Sequence, residues 1–229
     1  MLKRILITGH SKGIGKALTE MCLSAGHHVS GISRTAIDNH PHLTQFSADL
    51  STETGIKQSC NWLEQQKFDV VILNAGYNNI KPPEAYSINE VVEIINVNLT
   101  SHASIIKATI NSLLLNKGMI VGVGSFSGTE VQKWNNFYGS AKAGFHHLLN
   151  NVFEQYRKQG LRVTAIIPDI ADTSFYDHQD FEPSSNIETH IKATDVAAAI
   201  FNLIESQATY VTTQLFIRPQ RFELNRKKK

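Results

Sequence analysis

Apolar residues along the chain follow two alternating patterns. Short, nearly unbroken runs occur at RILIT (4–8), HVSGIS (28–33), LTQFSA (43–48), DVVILN (69–74), MIVGVGS (119–125), RVTAIIP (162–168) and QLFIRP (214–219). Between most of them lie longer segments whose apolar residues recur at helical spacing. Ile14, Leu18, Met21, Cys22 and Ala25 form one such stripe, and Phe145, Leu148, Leu149, Val152 and Tyr156 another. A strand reads as a continuous apolar run when both faces of its sheet are covered, and helices between parallel strands supply that cover. The alternation therefore predicts an α/β fold: a doubly wound, parallel, seven-stranded sheet with helices on both faces. Residues 169–193, DIADTSFYDHQDFEPSSNIETHIKA, break the pattern and read as a lid over a substrate site. Residues 88–116 are apolar on more than one side, through Val91, Val92, Ile94, Ile95, Val97, Ile105, Ile106 and Leu113 to Leu115. Such a helix needs a partner besides the sheet.

Composition narrows the class. A chain of 229 residues, 41% hydrophobic, buries a full core as one domain, and no repeat or low-complexity linker divides residues 1–229. A net charge of +2 argues against nucleic acid or an anionic membrane as partner, and the basic run NRKKK (225–229) reads as a solvated tail. Cys22 and Cys60 read as reduced thiols. The first apolar run passes directly into a glycine-rich loop without the pattern of a secretion signal, and no stretch is apolar enough to span a membrane, so a cytoplasmic location is expected.

Two stretches carry candidate chemistry. TGHSKGIG places glycines at 9, 13 and 15 between a strand and a helix, where missing side chains let an anion approach the helix N-terminus. The spacing differs from the common dinucleotide fingerprint, so on its own the loop reads either as a phosphate cradle or as a tight turn. In YGSAK, Tyr138 and Lys142 are four apart and share a helix face. They read as an acid/base pair in which the ammonium lowers the phenol pKa, or as an exposed polar face. The adjacent pairs His27–His28 and His146–His147 lack the spacing of metal ligands, and no catalytic metal is expected.

Taken together, these motifs resemble the single-domain short-chain dehydrogenase/reductase family over Leu2 to about Pro219. TGHSKGIG is similar to the family's TGxxxGIG, Asp49 in SADLS to the aspartate beside the adenine, and Asn74, Ala75 and Gly76 to its NAG. Asn98, Ser125, Tyr138 and Lys142 match its catalytic tetrad, with Ser125 thirteen and Asn98 forty residues before Tyr138. The resemblance implies a Rossmann-type domain and an oxidoreductase. In it Tyr138 exchanges a proton with the substrate oxygen, Ser125 hydrogen-bonds that oxygen, Lys142 tunes the phenol and holds the nicotinamide ribose, and Asn98 anchors a relay water. Ser127, eleven residues before Tyr138, fits less well and reads as a polar turn residue.

The cofactor contacts implied are Gly9, Ser11, Lys12, Gly13, Ile14, Gly15, Arg34, Asp49, Leu50, Asn74, Ala75, Gly76, Tyr138, Lys142, Pro168, Ile170 and Thr173. The second strand ends in GISRT, without the acid that takes the ribose hydroxyls of NAD; Arg34 and Lys12 suit a 2′-phosphate, so NADP(H) is expected. Leu73 and Asp169 depart from the family pattern, Asp169 standing where a glycine is usual. Asp169 reads as a solvated loop residue or as a polar substrate contact. The acidic lid disfavours anionic substrates, while Phe175, Tyr176 and Phe181 suit a neutral carbonyl compound or serve as packing anchors. The expected activity is NADPH-dependent reduction of an aldehyde or ketone to an alcohol. The competing readings are 3-oxoacyl-thioester reduction and a non-catalytic NADP(H) sensor. By family likeness, residues 88–116 and the helix bearing Tyr138 pair with their copies in a homodimer or homotetramer.

Overall fold

A computed structural model describes every residue except His178, Gln207, Ala208, Lys228 and Lys229. The seven apolar runs are seven strands, and three short strands interrupt their order. In chain order these are β1 (Arg4–Thr8), β2 (His28–Ser33), β3 (Leu43–Ser47), β4 (Val70–Leu73), β5 (Met119–Val123), β6 (Arg162–Pro168), β7 (Ala171–Asp172), β8 (Phe181–Pro183), β9 (Ile191–Lys192) and β10 (Gln214–Ile217). The main sheet runs β3-β2-β1-β4-β5-β6-β10 and is parallel throughout. Around it lie α1 (Gly13–Ser24), α2 (Glu53–Glu64), α3 (Ile88–Ile95), α4 (Ser101–Leu115), α5 (Asn136–Tyr156) and α6 (Ala193–Glu205).

Alternation along each strand splits the core in two. Leu6, Val71, Leu73 and Ile120 pack with Leu63 of α2, Ile105 of α4 and Phe145 of α5. Their sequence neighbours Ile5, Ile7, Val70, Ile72 and Val121 pack with Leu18 and Cys22 of α1 and with Val196 and Ile200 of α6. Each such side chain contributes roughly 1.5–3 kcal/mol by leaving water. With both faces covered in this way, the sheet lies between two helical layers and its carboxyl ends border one crevice. After β1 the chain winds outward to β2 and β3, then crosses to β4 on the other side. That reversal opens the crevice in which α/β sheets bind ligands.

Three local features differ from the sequence reading. Residues 88–116 are not one uniform helix: a π-helical turn, Asn96–Thr100, joins α3 to α4, and the N–H of Ser101 bonds the carbonyl of Asn96. The lid is not structureless. β7 pairs parallel with β9, and β8 pairs antiparallel with a final strand, β11 (Leu224–Arg226). The backbone of Asn225 and Arg226 in the basic run is therefore a ladder, while both side chains remain exposed; its last two lysines lie outside the described residues. The physical cause is pairing: unsatisfied backbone groups of β8 meet those of the tail across three residue pairs. Among the described residues no helix is long and apolar enough to cross a membrane.

Candidate active site

The glycine loop joins β1 to α1 over the crevice. Gly9 has φ +68° and sits so close to the β4 end that a Cβ would lie 3.0 Å from Asn74 Nδ2. A Cβ on Gly15 would lie 2.1 Å from the Gly9 carbonyl oxygen, so only glycine lets α1 start against the loop. The NAG turn is stitched to the same loop. Asn74 Nδ2 donates to the carbonyls of Thr8 (2.9 Å) and Gly9 (3.3 Å), while the Thr8 hydroxyl accepts from the N–H groups of Asn74 (2.9 Å) and Ala75 (3.0 Å). α1 has no acidic residue in its first turn and no side-chain cap, leaving its N–H groups and positive dipole end facing the crevice.

A cleft of about 630 Å³ runs from this loop to Tyr138 and is lined by most of the residues implied as cofactor contacts. Gly15 does not line it; its part is the close approach that seats the helix. At one end Lys12 and Arg34 line the wall, and among the described residues neither has an ion-pair partner. Asp49 lines the same end with Leu50, its Oδ1 accepting from the N–H of Ser51 at 3.0 Å. Thr173 faces the loop across the cleft: a Cβ on Gly13 would lie 3.3 Å from its Cβ. A glycine-built approach to a helix N-terminus, beside two unpaired cations, fits the phosphates of a dinucleotide.

At the other end Tyr138 and Lys142 rise from α5, one turn apart, both buried. Burial pushes the Tyr138 phenol up to about 12, with the Ser125 hydroxyl pulling the other way. Burial also drives the Lys142 ammonium down to about 7. Lys142 Nζ donates to the Val123 carbonyl at 2.8 Å and stands 5.7 Å from the Tyr138 ring centre. Burial disfavours the charged form of both groups. The protonated phenol is the favoured form.

Asn98 is fully buried in the π-helical turn. Its Nδ2 donates to the carbonyls of Tyr77 (2.6 Å) and Ile94 (2.9 Å), and its Oδ1 accepts from the Tyr77 N–H (3.4 Å). The side chain therefore ties the loop after the NAG turn to the helix. Ser125 stands in the cleft with its Oγ accepting from the Ser127 N–H at 3.2 Å. Ser127 is more than a turn residue. Its hydroxyl donates to Gln132 Oε1 (2.7 Å) and accepts from Asn135 Nδ2 (2.9 Å), while Asn78 Nδ2 donates to Asn135 Oδ1 (2.8 Å). This amide network lines the cleft beside Ser125 and was not legible in the sequence, because its members come from two separate loops.

Two histidines also act as supports. The His146 Nε2 accepts the N–H of Ser125 at 3.3 Å, and a Cβ on Gly124 would lie 2.1 Å from that nitrogen. The His102 Nε2 donates to the Ala75 carbonyl at 3.0 Å. Burial, with Lys142 nearby, lowers His102 to about 3 and His146 to about 4, so both are neutral. Among the described residues no group of three or more His, Cys, Asp or Glu is placed to hold a metal.

Asp169 is neither solvated nor free. Its side chain is 5% exposed and Oδ2 accepts from Arg218 Nε at 3.1 Å. Glu188 is likewise paired with Arg221, so tail cations offset part of the acidic lid, and the lid's acidity alone does not set substrate charge.

A phosphate cradle and a buried tyrosine–lysine pair opening on one crevice define α/β proteins that work on a bound dinucleotide. More narrowly, residues 3–182 match the model of the short chain dehydrogenase family, and the chain belongs to that family of oxidoreductases. It is 29% identical to glucose 1-dehydrogenase 2 of Bacillus subtilis over 233 residues, covering 92% of this chain and 90% of that protein. Its fold is similar to that of an alcohol dehydrogenase of Thermococcus sibiricus complexed with 5-hydroxy-NADP (TM-score 0.84, 21% identity, 97% of this chain and 100% of that one). It is similar also to a 3-ketoacyl-(acyl-carrier-protein) reductase of Brucella melitensis complexed with NADH (TM-score 0.82, 20% identity, 94% and 96%).

Proposed function

We propose that the protein is an NADPH-dependent reductase that converts an aldehyde or ketone to an alcohol. The observation that carries this reading is the buried Tyr138 phenol beside Ser125, in the cleft that Lys12 and Arg34, without ion-pair partners among the described residues, also line. NADPH, when bound, supplies the hydride. Gly9, Ser11, Lys12, Gly13 and Ile14 would hold its phosphates, with Arg34 and Lys12 on the 2′-phosphate, Asp49 and Leu50 at the adenine, and Ala75, Gly76, Pro168, Ile170 and Thr173 toward the nicotinamide.

The chain's own groups do the rest. Ser125 Oγ donates to the carbonyl oxygen and stabilises the negative charge that grows on it. Tyr138 Oη gives its proton to that oxygen, for which a phenol kept neutral by burial is well prepared. Lys142, near neutrality in its own titration, accepts and returns protons behind the phenol. Asn98 fixes the Tyr77 backbone on the cleft wall and keeps its proposed role beside the relay. The intact tetrad favours turnover over a sensor that only binds. The chain works as a homodimer or homotetramer, joined through α3, α4 and α5, where Ile88 and Val92 are exposed.

The test is NADPH consumption over aldehydes, ketones, diketones, pterins and acyl thioesters, with Tyr138→Phe and Arg34→Ala in parallel. Tyr138→Phe is expected to lose at least about 100-fold in kcat, the scale of positioned proton transfer. Arg34→Ala is expected to shift the kcat/KM preference from NADPH toward NADH. Full activity in Tyr138→Phe would overturn the mechanism, and an unchanged preference would overturn the cofactor assignment.

A further inference from the structure

An amide side chain has a donating and an accepting end, and its neighbours decide which way round it lies. In the network beside Ser125 the direction is set by the backbone. The Asn79 N–H can only donate, and it donates to Asn78 Oδ1 at 2.8 Å. Asn78 therefore offers Nδ2 to Asn135 Oδ1 (2.8 Å), and Asn135 offers its own Nδ2 to Gln132 Oε1 (3.1 Å) and to Ser127 Oγ (2.9 Å). Gln132 Oε1 cannot donate, so the Ser127 hydroxyl gives its proton to that oxygen at 2.7 Å. Each amide thus orients the next. The series ends on Gln132 with its oxygen twice engaged and its Nε2 without a hydrogen-bond partner among the described residues.

We propose that the free N–H groups of Gln132 recognise the substrate, and that the carbonyl compound reduced here carries a second, uncharged oxygen that accepts a hydrogen bond from them. The proposal rests on the reductase reading and names the substrate class of that same site. Gln132 lines the cleft together with Asn78, Ser127 and Asn135. Asn78 and Asn135 are 3% and 7% exposed, so the series is shielded up to its last member. Its anchorage also reaches the groups proposed to react. The Ser127 N–H donates to Ser125 Oγ at 3.2 Å, and the Asn135 carbonyl accepts the Gly139 N–H at 2.8 Å in the first turn of α5, next to Tyr138.

The chemistry follows from what a bound substrate displaces. Solvent meets the free N–H groups of an open cleft, and a substrate that takes its place must answer them. A compound with only carbon at that point strands the donors in a dry site, whereas an oxygen restores the bond. Because two bonds already hold Gln132, little side-chain freedom is lost when that oxygen arrives. The oxygen is uncharged. A neutral amide is a weak partner for a carboxylate stripped of water, and Asp177 adds negative charge to the same cleft.

The test compares ketones of matched shape. 1-Methoxypropan-2-one is paired with pentan-2-one and 4-methoxybutan-2-one with hexan-2-one, an ether oxygen replacing a CH2 group in each pair. Dissociation constants for the NADP+-loaded protein come from ligand-observed NMR, and kcat/KM from NADPH consumption. In at least one pair the ether is expected to bind about fivefold or more tighter than its carbon twin, the scale of one hydrogen bond. Gln132→Glu keeps an accepting oxygen for Ser127 and Asn135 and removes the donor, so that preference is expected to vanish. Gln132→Met, which has neither end, decides the matter if Gln132→Glu fails to fold. Reading each variant as the ratio within a pair cancels any general loss of stability. A preference absent from the parent or undiminished in the variants overturns the proposal, as does a failure of all four ketones to bind. A preference in binding that depends on Gln132, without reduction of any ketone, would sink the reductase reading and leave the recognition site standing. Reduction of both members of each pair with no preference in binding would do the reverse.

Discussion

Lys142, whose part in the chemistry is the one proposed above, is held at the expense of stability. Buried beside Tyr138, its ammonium is driven from the ordinary 10.5 down to about 7, so the folded state resists a proton that the unfolded chain accepts. A base depressed in this way costs stability as pH falls from its unfolded value toward its folded one, so the cofactor-free protein gains stability as pH rises from 7. The gain has an upper limit: Cys22, raised from 9.0 to about 12, favours the unfolded state above pH 9, and Tyr138 does so above 10. Between pH 7 and 9 the slope from Lys142 is about 1.4 kcal/mol per pH unit. Lys142→Met should flatten that slope, raise the Tm at pH 7 and abolish reduction, as thermal melts against pH and NADPH assays would show. A wild-type Tm that falls from pH 7 to 9 would contradict the burial argument. None of this was legible from YGSAK: the spacing told which residues share a face, but not that both are sealed from water.

The junction of β1 and α1 is the element on which the site depends. Its glycines were readable as a cradle because strand, loop and helix follow in order, and the structure adds why Gly15 in particular is needed. A methyl group there would meet the Gly9 carbonyl oxygen at 2.1 Å, and backbone cannot retreat as a side chain can. Gly15→Ala is expected to destabilise the protein by about 1–3 kcal/mol, the usual cost of overpacking, and to weaken NADPH binding at least tenfold. Urea unfolding and NADPH fluorescence titration measure the two effects, and wild-type values in both would refute the close-approach account. The lid behaved differently. Its period was unreadable because its strands are two or three residues long and pair with segments remote in sequence: β9 with β7, and β11 with β8. Local patterning cannot show a ladder whose other half lies about twenty residues away, as for β7 and β9, or about forty, as for β8 and β11.

For the molecule as a whole, the exposed apolar side chains of α3 bear on assembly. Ile88 and Val92, four residues apart, are 82% and 50% exposed, a poor arrangement for an isolated surface. If the proposed homodimer or homotetramer forms through this face, Ile88→Glu/Val92→Glu is expected to reduce the sedimenting mass to that of one chain while leaving the far-UV circular dichroism intact; an unchanged mass would refute this face as an interface. By itself the sequence determined the seven strands and their helices and the glycine loop, because each is written in local periodicity or in a short motif; the proposed tetrad of Asn98, Ser125, Tyr138 and Lys142 came from the likeness to the family. Tertiary structure alone decided the burial of Tyr138 and Lys142, the amide network of Asn78, Ser127, Gln132 and Asn135, and the pairing of Asp169 with Arg218. It alone paired Asn225 and Arg226 of the basic run with β8. These depend on which groups lose water together and which distant backbones meet, and neither is encoded in the order of residues along any one segment.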